Sequence, residues 1–235
     1  MYRRVLLKLS GEMLLVQEQV GIEQAACDHL AKILKGMQEE GFQVCVVIGG
    51  GNLFRGVRLS EKGVARTPAD QMGMLATLMN GVALEQALHG IGAQAVVMSA
   101  LQCPQVAETY QWERAQKFAL EGKIVIFVGG TGNPYFTTDT AAALRACEME
   151  VDLLVKATKV DGIYAADPLL HTEAERFESM SYMEILQRQL GVMDNTAIAL
   201  CLKENIPLFV MNMNRLGTRP FRELLTDRSH GTMVS

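Results

Sequence analysis

Six short runs of apolar and β-branched residues recur along the chain, at 5–9, 44–48, 95–98, 124–128, 153–156 and 208–211. Most are almost continuously hydrophobic, the pattern of strands buried on both faces of a sheet rather than of half-wet strands that alternate. Between them the period changes. Ala26, Leu30, Ile33, Leu34 and Met37 recur at helical spacing with Gly41 as a stop, and Met72, Leu75, Leu78, Met79, Val82 and Leu88 repeat that pattern over a longer stretch. Met183, Ile185, Leu186 and Leu190 mark a further helix before Gly191, and Ile198, Leu200, Cys201 and Leu202 another before Pro207. Strands alternating with helices imply right-handed crossovers and a mostly parallel sheet sandwiched between helices, an α/β fold. The 235 residues carry no low-complexity linker, internal repeat or long charge run, and the polar stretch 165–178 reads as a hairpin or loop insertion. One domain over 1–235 is expected. Met72, Met74 and Met79 cluster on one predicted helix and are expected to fill core rather than to form a binding face.

Composition narrows the classes. The chain is 49% apolar and 20% charged with a net charge of -4, so it lacks the basic excess of a dedicated nucleic-acid binder, although net charge says nothing about one pocket. Its five cysteines are widely spaced with no CxxC pair, which reads as buried thiols in a reducing compartment. His29, His89, His171 and His230 are too scattered for a zinc motif. Lys8 and Glu12 interrupt the apolar start before it resembles a secretory segment, and no run approaches the ~20 residues of a membrane helix. A cytoplasmic protein with neither membrane nor nucleic-acid partner is expected.

The unusual residues fall where strands end, which in a parallel α/β sheet is where ligands bind. Lys8, Leu9, Ser10 and Gly11 close the first strand; Gly49, Gly50, Gly51 and Asn52 follow the second; Gly129, Gly130, Thr131, Gly132 and Asn133 follow the fourth; Lys156, Thr158 and Lys159 end the fifth. Consecutive glycines let backbone N–H groups approach an anion, and lysines at other strand ends add charge. One such turn is ordinary; several with lysines point to a ligand bearing several phosphates. There is no GxxxxGK[ST], no protein-kinase HRD and DFG set, and Phe54 breaks a GxGxxG reading of the turn at 49–51.

The segments LLKLSGE (6–12), VVIGGGNLFRG (46–56), MGMLATLMN (72–80), GGTGNPYFTTDTAA (129–142), LLVKATKVDGIYAADP (153–168) and VMD (192–194) resemble the bacterial uridylate kinases of the amino-acid kinase fold family, in the same order from 3 to 232. GGGN alone is shared with acetylglutamate and carbamate kinases, whereas GTGNPYFTTD together with KATKVDG marks the UMP-specific branch. The resemblance implies transfer of the ATP γ-phosphoryl group to UMP in pyrimidine biosynthesis. It implies that Lys8, with the backbone of Leu9, Ser10 and Gly11, binds ATP phosphates. Gly51 and Arg55 belong with ATP, and Thr158, Tyr164 and Asp167 with its adenosine. Gly50 belongs with UMP, Asp70 with the UMP ribose hydroxyls, and Thr131, Gly132, Asn133, Pro134, Tyr135, Phe136, Thr137 and Thr138 with its base and phosphate. Asp139 resembles the carboxylate that organises the catalytic lysine and metal, Asp194 a further structurally placed acid, and Lys156 or Lys159 adds neutralising charge.

Each assignment has a plainer competitor: Asp139 as a first-turn helix acid, Asp70 as a cap or solvated charge ahead of a helix, and Tyr164 and Asp167 as hairpin formers. Lys8, interrupting an apolar strand, is the hardest to explain structurally. A carboxylate or carbamate kinase of the same fold, and a non-catalytic nucleotide sensor, are the competing functions. By resemblance the expected associates are Mg2+ carried with ATP, a homohexamer, and UTP as inhibitor. Many of the uridylate kinases that the chain resembles are activated by GTP at a site between subunits. Here Glu85 and Val96 stand at two of its arginine positions, while His89, Trp112 and Lys123 remain.

Overall fold

The computed structural model describes residues 2–54, 63–166, 168, 170–171 and 173–235. The apolar runs form β1 (Arg4–Leu9), β2 (Gln43–Ile48), β3 (Ala95–Ser99), β5 (Ile124–Val128), β6 (Leu153–Thr158) and β10 (Leu208–Asn212), most of them a residue or two longer than the hydrophobic pattern suggests. Short strands β4 (Glu108–Thr109), β9 (Ser179–Met180) and β11 (Gly231–Val234) extend the sheet, whose order is β4-β3-β5-β2-β1-β6-β10-β11-β9. Among the described residues every neighbouring pair in it is parallel except β10 with β11. The polar insertion does hold a hairpin, with β7 (Ile163–Tyr164) pairing antiparallel to β8 (Arg176–Phe177).

Side-chain alternation divides the core into two layers. Val5, Leu7 and Leu9, with Val44, Val46 and Ile48, face α1 (Gln24–Glu39), α2 (Arg66–Gly90) and, near the chain end, α7 (Phe221–Thr226). Leu6, Cys45, Val47, Val125 and Phe127 face α3 (Trp112–Leu120), α4 (Thr138–Glu148), α5 (Tyr182–Gln187) and α6 (Asn195–Glu204). Each fully buried Val, Leu or Ile contributes about 1.5–3 kcal/mol, so strands apolar on both faces tie the two helical layers to one sheet. Helix ends follow local chemistry. After α1 the Gly41 N–H donates to Gln38 O and the Phe42 N–H to Met37 O, a Schellman stop that also seats Phe42 edge-on against Phe221. Ser181 and Glu184 form a reciprocal capping box at the start of α5.

Two sequence expectations are corrected. Asp70 lies inside α2, one turn in, because that helix begins at Arg66 rather than at the first periodic methionine. Core filling holds for Met74, but Met79 is 56% and Leu75 51% exposed, so α2 carries an apolar stripe that the chain itself does not cover among the described residues.

Candidate active site

Strand parity and register assemble the centre. Lys8 shares a sheet face with Leu6, and Lys156 shares that face with Leu154, because residues two apart point the same way. β1 and β6 are parallel neighbours in which Lys8 pairs directly with Lys156, so two ammonium groups rise side by side near the carboxyl edge of the sheet. The helix covering this face, α4, packs through Ala141, Ala142, Ala143 and Ala146, side chains small enough to bring its first turn close. Asp139 in that turn meets both lysines: Lys8 Nζ is 2.8 Å from Oδ1 and Lys156 Nζ 2.8 Å from Oδ2. The first contact is an ion pair not aligned as a hydrogen bond, so Oδ1 is buried with no hydrogen-bond donor among the described residues. Lys156 also donates to the Val192 carbonyl.

Burial alone would push the Asp139 carboxyl up, but the Lys8 and Lys156 charges outweigh burial and hold it below the usual carboxylate range. Burial pushes the Lys156 ammonium down; Asp139 pulls it back, and Lys8 adds to the fall. One carboxylate therefore contacts two cations, and Asp194 adds only a longer-range pull on Lys156.

Asp194 braces this helix start. Its Oδ2 accepts from the Thr137 and Thr140 hydroxyls, and its Oδ1 caps α6 through the Ala197 N–H at 3.0 Å. Thr137 in turn caps α4, accepting from the N–H groups of Asp139 and Thr140. Burial would raise Asp194, yet the bonds from Thr137, Ala197 and Thr140 hold it low.

On one side of the lysines lie the glycine turns. A methyl group on Gly11 would sit 2.2 Å from Asn52 Oδ1, and one on Gly50 would sit 2.8 Å from Gly73 O of α2, so glycine lets these backbones approach. Asn80, fully buried in α2, donates to Gly49 O and to Asn52 Oδ1, both at 2.7 Å, while Asn52 donates back to Asn80 and to Gly21 O. This satisfied amide pair fixes the turn at 49–52. Asp70 reaches the loop after β5, accepting the Tyr135 N–H at 2.7 Å. Gly129, Gly130 and Gly132 in that loop all have positive φ.

On the other side a cleft of about 380 Å³ is lined by Lys156, Thr158, Tyr164, Leu190, Gly191 and Val192 among others. It is a mixed apolar and polar slot with Lys156 in its wall. Lys159 is not brought to Asp139; it is 64% exposed and pairs with Glu12 at 2.8 Å. Ser10 caps the turn at 11–14 by accepting the Glu12 N–H. Arg55 and Asp167 lie outside the described residues. The sequence pattern did not single out the Asn52–Asn80 pair, the Val192 carbonyl or Arg66. An asparagine inside an apolar helical stretch was the available signal for Asn80; the others leave none. Among the described residues no cluster of three or more His, Cys, Asp or Glu side chains stands ready for a metal ion, and no helix is long and apolar enough to cross a membrane.

A phosphate-compatible cation pair at the carboxyl edge of a helix-sandwiched parallel sheet defines the class, and a profile of the amino acid kinase family matches residues 3–212. The chain belongs to that family, and within it to the uridylate kinases. It is 56% identical over 232 residues to the uridylate kinase of Protochlamydia amoebophila, covering 99% of this chain and 92% of that protein. It is 48% identical to the uridylate kinase of Brucella anthropi, covering 100% and 97%. Among solved structures, the UMP kinase of Bacillus anthracis superposes with a TM-score of 0.94 at 34% identity, covering 100% of this chain and 96% of that one.

Proposed function

We propose that this protein transfers the γ-phosphoryl group of ATP to UMP, giving UDP and ADP in pyrimidine nucleotide synthesis. The observation that carries the proposal is the pair Lys8 and Lys156 held on one carboxylate between the glycine turns and the cleft. UMP is a phosphate monoester with a second pKa near ~6, so its phosphate is largely dianionic at neutral pH and attacks without a general base. The obstacle is the meeting of two anions, and it is removed by positioning and fixed positive charge. An acceptor oxygen forms its bond to the γ-phosphorus as the bond to the β–γ bridging oxygen breaks, in line and without a phosphoenzyme. Lys8 and Lys156, already oriented by Asp139, face the charge that shifts onto these oxygens.

In this reading Thr158 and Tyr164 hold adenosine in the cleft, with Asp167, outside the described residues, assigned to the same nucleoside by resemblance, while Gly50, Asp70 and residues 131–138 hold UMP. The described residues do not fit a protein-held Mg2+: both Asp139 oxygens face lysines and both Asp194 oxygens accept hydrogen bonds. Mg2+ then arrives on the ATP phosphates. A homohexamer is the assembly expected by resemblance; the exposed stripe Leu75 and Met79, flanked by the partly buried Met72 and Val82, supports self-association. Five free, mostly buried cysteines support a cytoplasmic setting. A coupled assay for ADP, run with UMP, CMP, dTMP and a small carboxylate, tests the function. UMP is expected to be strongly preferred, and comparable turnover of CMP at saturation would overturn the assignment.

UTP is expected to inhibit by occupying the uridine pocket. GTP activation is expected to be weak. Glu85 accepts the Val97 N–H at 2.9 Å, which anchors a carboxylate at the edge of β3 beside Val96, and Lys123 pairs with Glu121 at 3.3 Å. A carboxylate about 5 Å from a phosphate opposes it by roughly 3 kcal/mol at an effective dielectric of about 20, before salt screening. Initial rates titrated with GTP at low and saturating UMP check this; several-fold activation at micromolar GTP would show that other residues form the site.

A further inference from the structure

Arg66 occupies the first position of α2. Helix formation gives no reason for it to be there. The helix dipole disfavours a cation at the N-terminus, and an Arg-before-Asp pair at this spacing is the less favourable order. The side chain instead closes a three-part contact. Its Nε lies 2.9 Å from Asp70 Oδ1 and 2.7 Å from Oδ2. Its guanidinium also lies over the Tyr135 ring, 5.4 Å from the centroid. Asp70 Oδ2 in turn accepts the Tyr135 N–H at 2.7 Å. Tyr135 has φ of 72°, a left-handed backbone that a bulky aromatic residue rarely adopts. Such a conformation persists only where surrounding contacts over-determine it. Here those contacts come from a helix 65 residues away in sequence.

We propose that Arg66 is a positioning residue for the acceptor, clasping Asp70 and the loop carrying Tyr135 into one rigid wall. The inference rests on the reading that this side of the site takes UMP. With the clasp closed, the Asp70 carboxylate is fixed in one orientation and the loop is held in its strained form before the acceptor arrives, so binding orders less of the protein. Without Arg66, the carboxylate loses its fixed direction, and of the clasp's contacts to Tyr135 the N–H bond to Asp70 remains.

The clasp predicts a split in kinetic constants. Arg66→Ala should raise the KM for UMP about tenfold, leave the KM for ATP unchanged and keep kcat within about threefold. Arg66→Lys retains charge at the same spacing and should recover much of the loss. Tyr135→Ala should resemble Arg66→Ala, and the double variant should be no worse than either alone, because both break the same clasp. Hydrogen–deuterium exchange of the peptide spanning 129–137 in the ligand-free protein gives a readout independent of activity. Exchange there should quicken about tenfold in Arg66→Ala with the sheet peptides unchanged. If the KM effects of Arg66→Ala and Tyr135→Ala multiply, or exchange at 129–137 is unaltered, the clasp is wrong. If the wild-type protein turns over no UMP, the functional reading fails, while the exchange data still decide whether the clasp exists.

Discussion

Lys8→Ala should lower kcat by roughly 10²–10³-fold while the KM for UMP stays within about threefold, the scale of losing one preorganised electrostatic group at the reacting centre. The geometry makes this a clean experiment. Asp139 compensates two lysines, so removing Lys8 leaves an intact one-to-one pair between Asp139 and Lys156 rather than an orphaned charge. Relief of the repulsion between register partners should keep the thermal midpoint close to wild type. Lys8→Met, which keeps the aliphatic stem, should show the same rate loss and so separate charge from packing. Steady-state kinetics with both variants checks the prediction. A loss appearing mainly in the KM for UMP would move Lys8 from the transfer step to acceptor binding.

The features of this centre were legible to different degrees. Lys8 stands out in the sequence because it interrupts an apolar strand, Lys156 because it ends one, and Asp139 because it follows two threonines at a helix start. What joins them is register, the direct pairing of Lys8 with Lys156, and register depends on contacts 148 positions apart that no local pattern encodes. The main strands were visible as continuous hydrophobic runs. β4 and β9 span two residues each and fall below any periodicity, and β11, Gly-Thr-Met-Val, mixes a glycine and a buried threonine into its short run. α4 escapes a hydrophobicity reading because its buried face is largely alanine, which contrasts little with the polar side, and α3 because it is short and buries only Ala115 and Ala119. That alanine face is also what lets α4 bring Asp139 close to the sheet. Arg66 left no signal, since an arginine beside a helix start reads as a solvated charge until the strained loop it holds is seen.

Asp139→Ala should damage both stability and rate, and the two can be separated by pH and by nucleotide. Removing the carboxylate leaves Lys8 and Lys156, whose side chains are only 16% and 13% exposed, facing each other without their contacting counter-ion, with Asp194 acting on Lys156 only at longer range. Breaking a buried charge pair from one side costs about 3–5 kcal/mol, and residual solvent access favours the lower figure. For a chain of this length about 3 kcal/mol lowers the thermal midpoint by roughly 6–12 °C. In the wild type, Asp139 has a lowered folded-state value, so its contribution is present above the ordinary carboxylate range and is lost as the pH falls through the lowered value. In the variant the slope comes from Lys156. Burial already pushes Lys156 down, and without Asp139 to pull it back it falls further. Between that lowered folded value and the ordinary lysine value the unfolded chain binds more protons, so stability should rise with pH across the alkaline range. ATP should restore part of the loss, because its phosphates supply the missing anion, and so should raise the midpoint of the variant more than that of the wild type. Thermal unfolding from neutral to alkaline pH, with and without ATP, measures all of this. A variant as stable as wild type, flat with pH and no more responsive to ATP would mean that the lysines escape to solvent when released, and that Asp139 does not hold them in place.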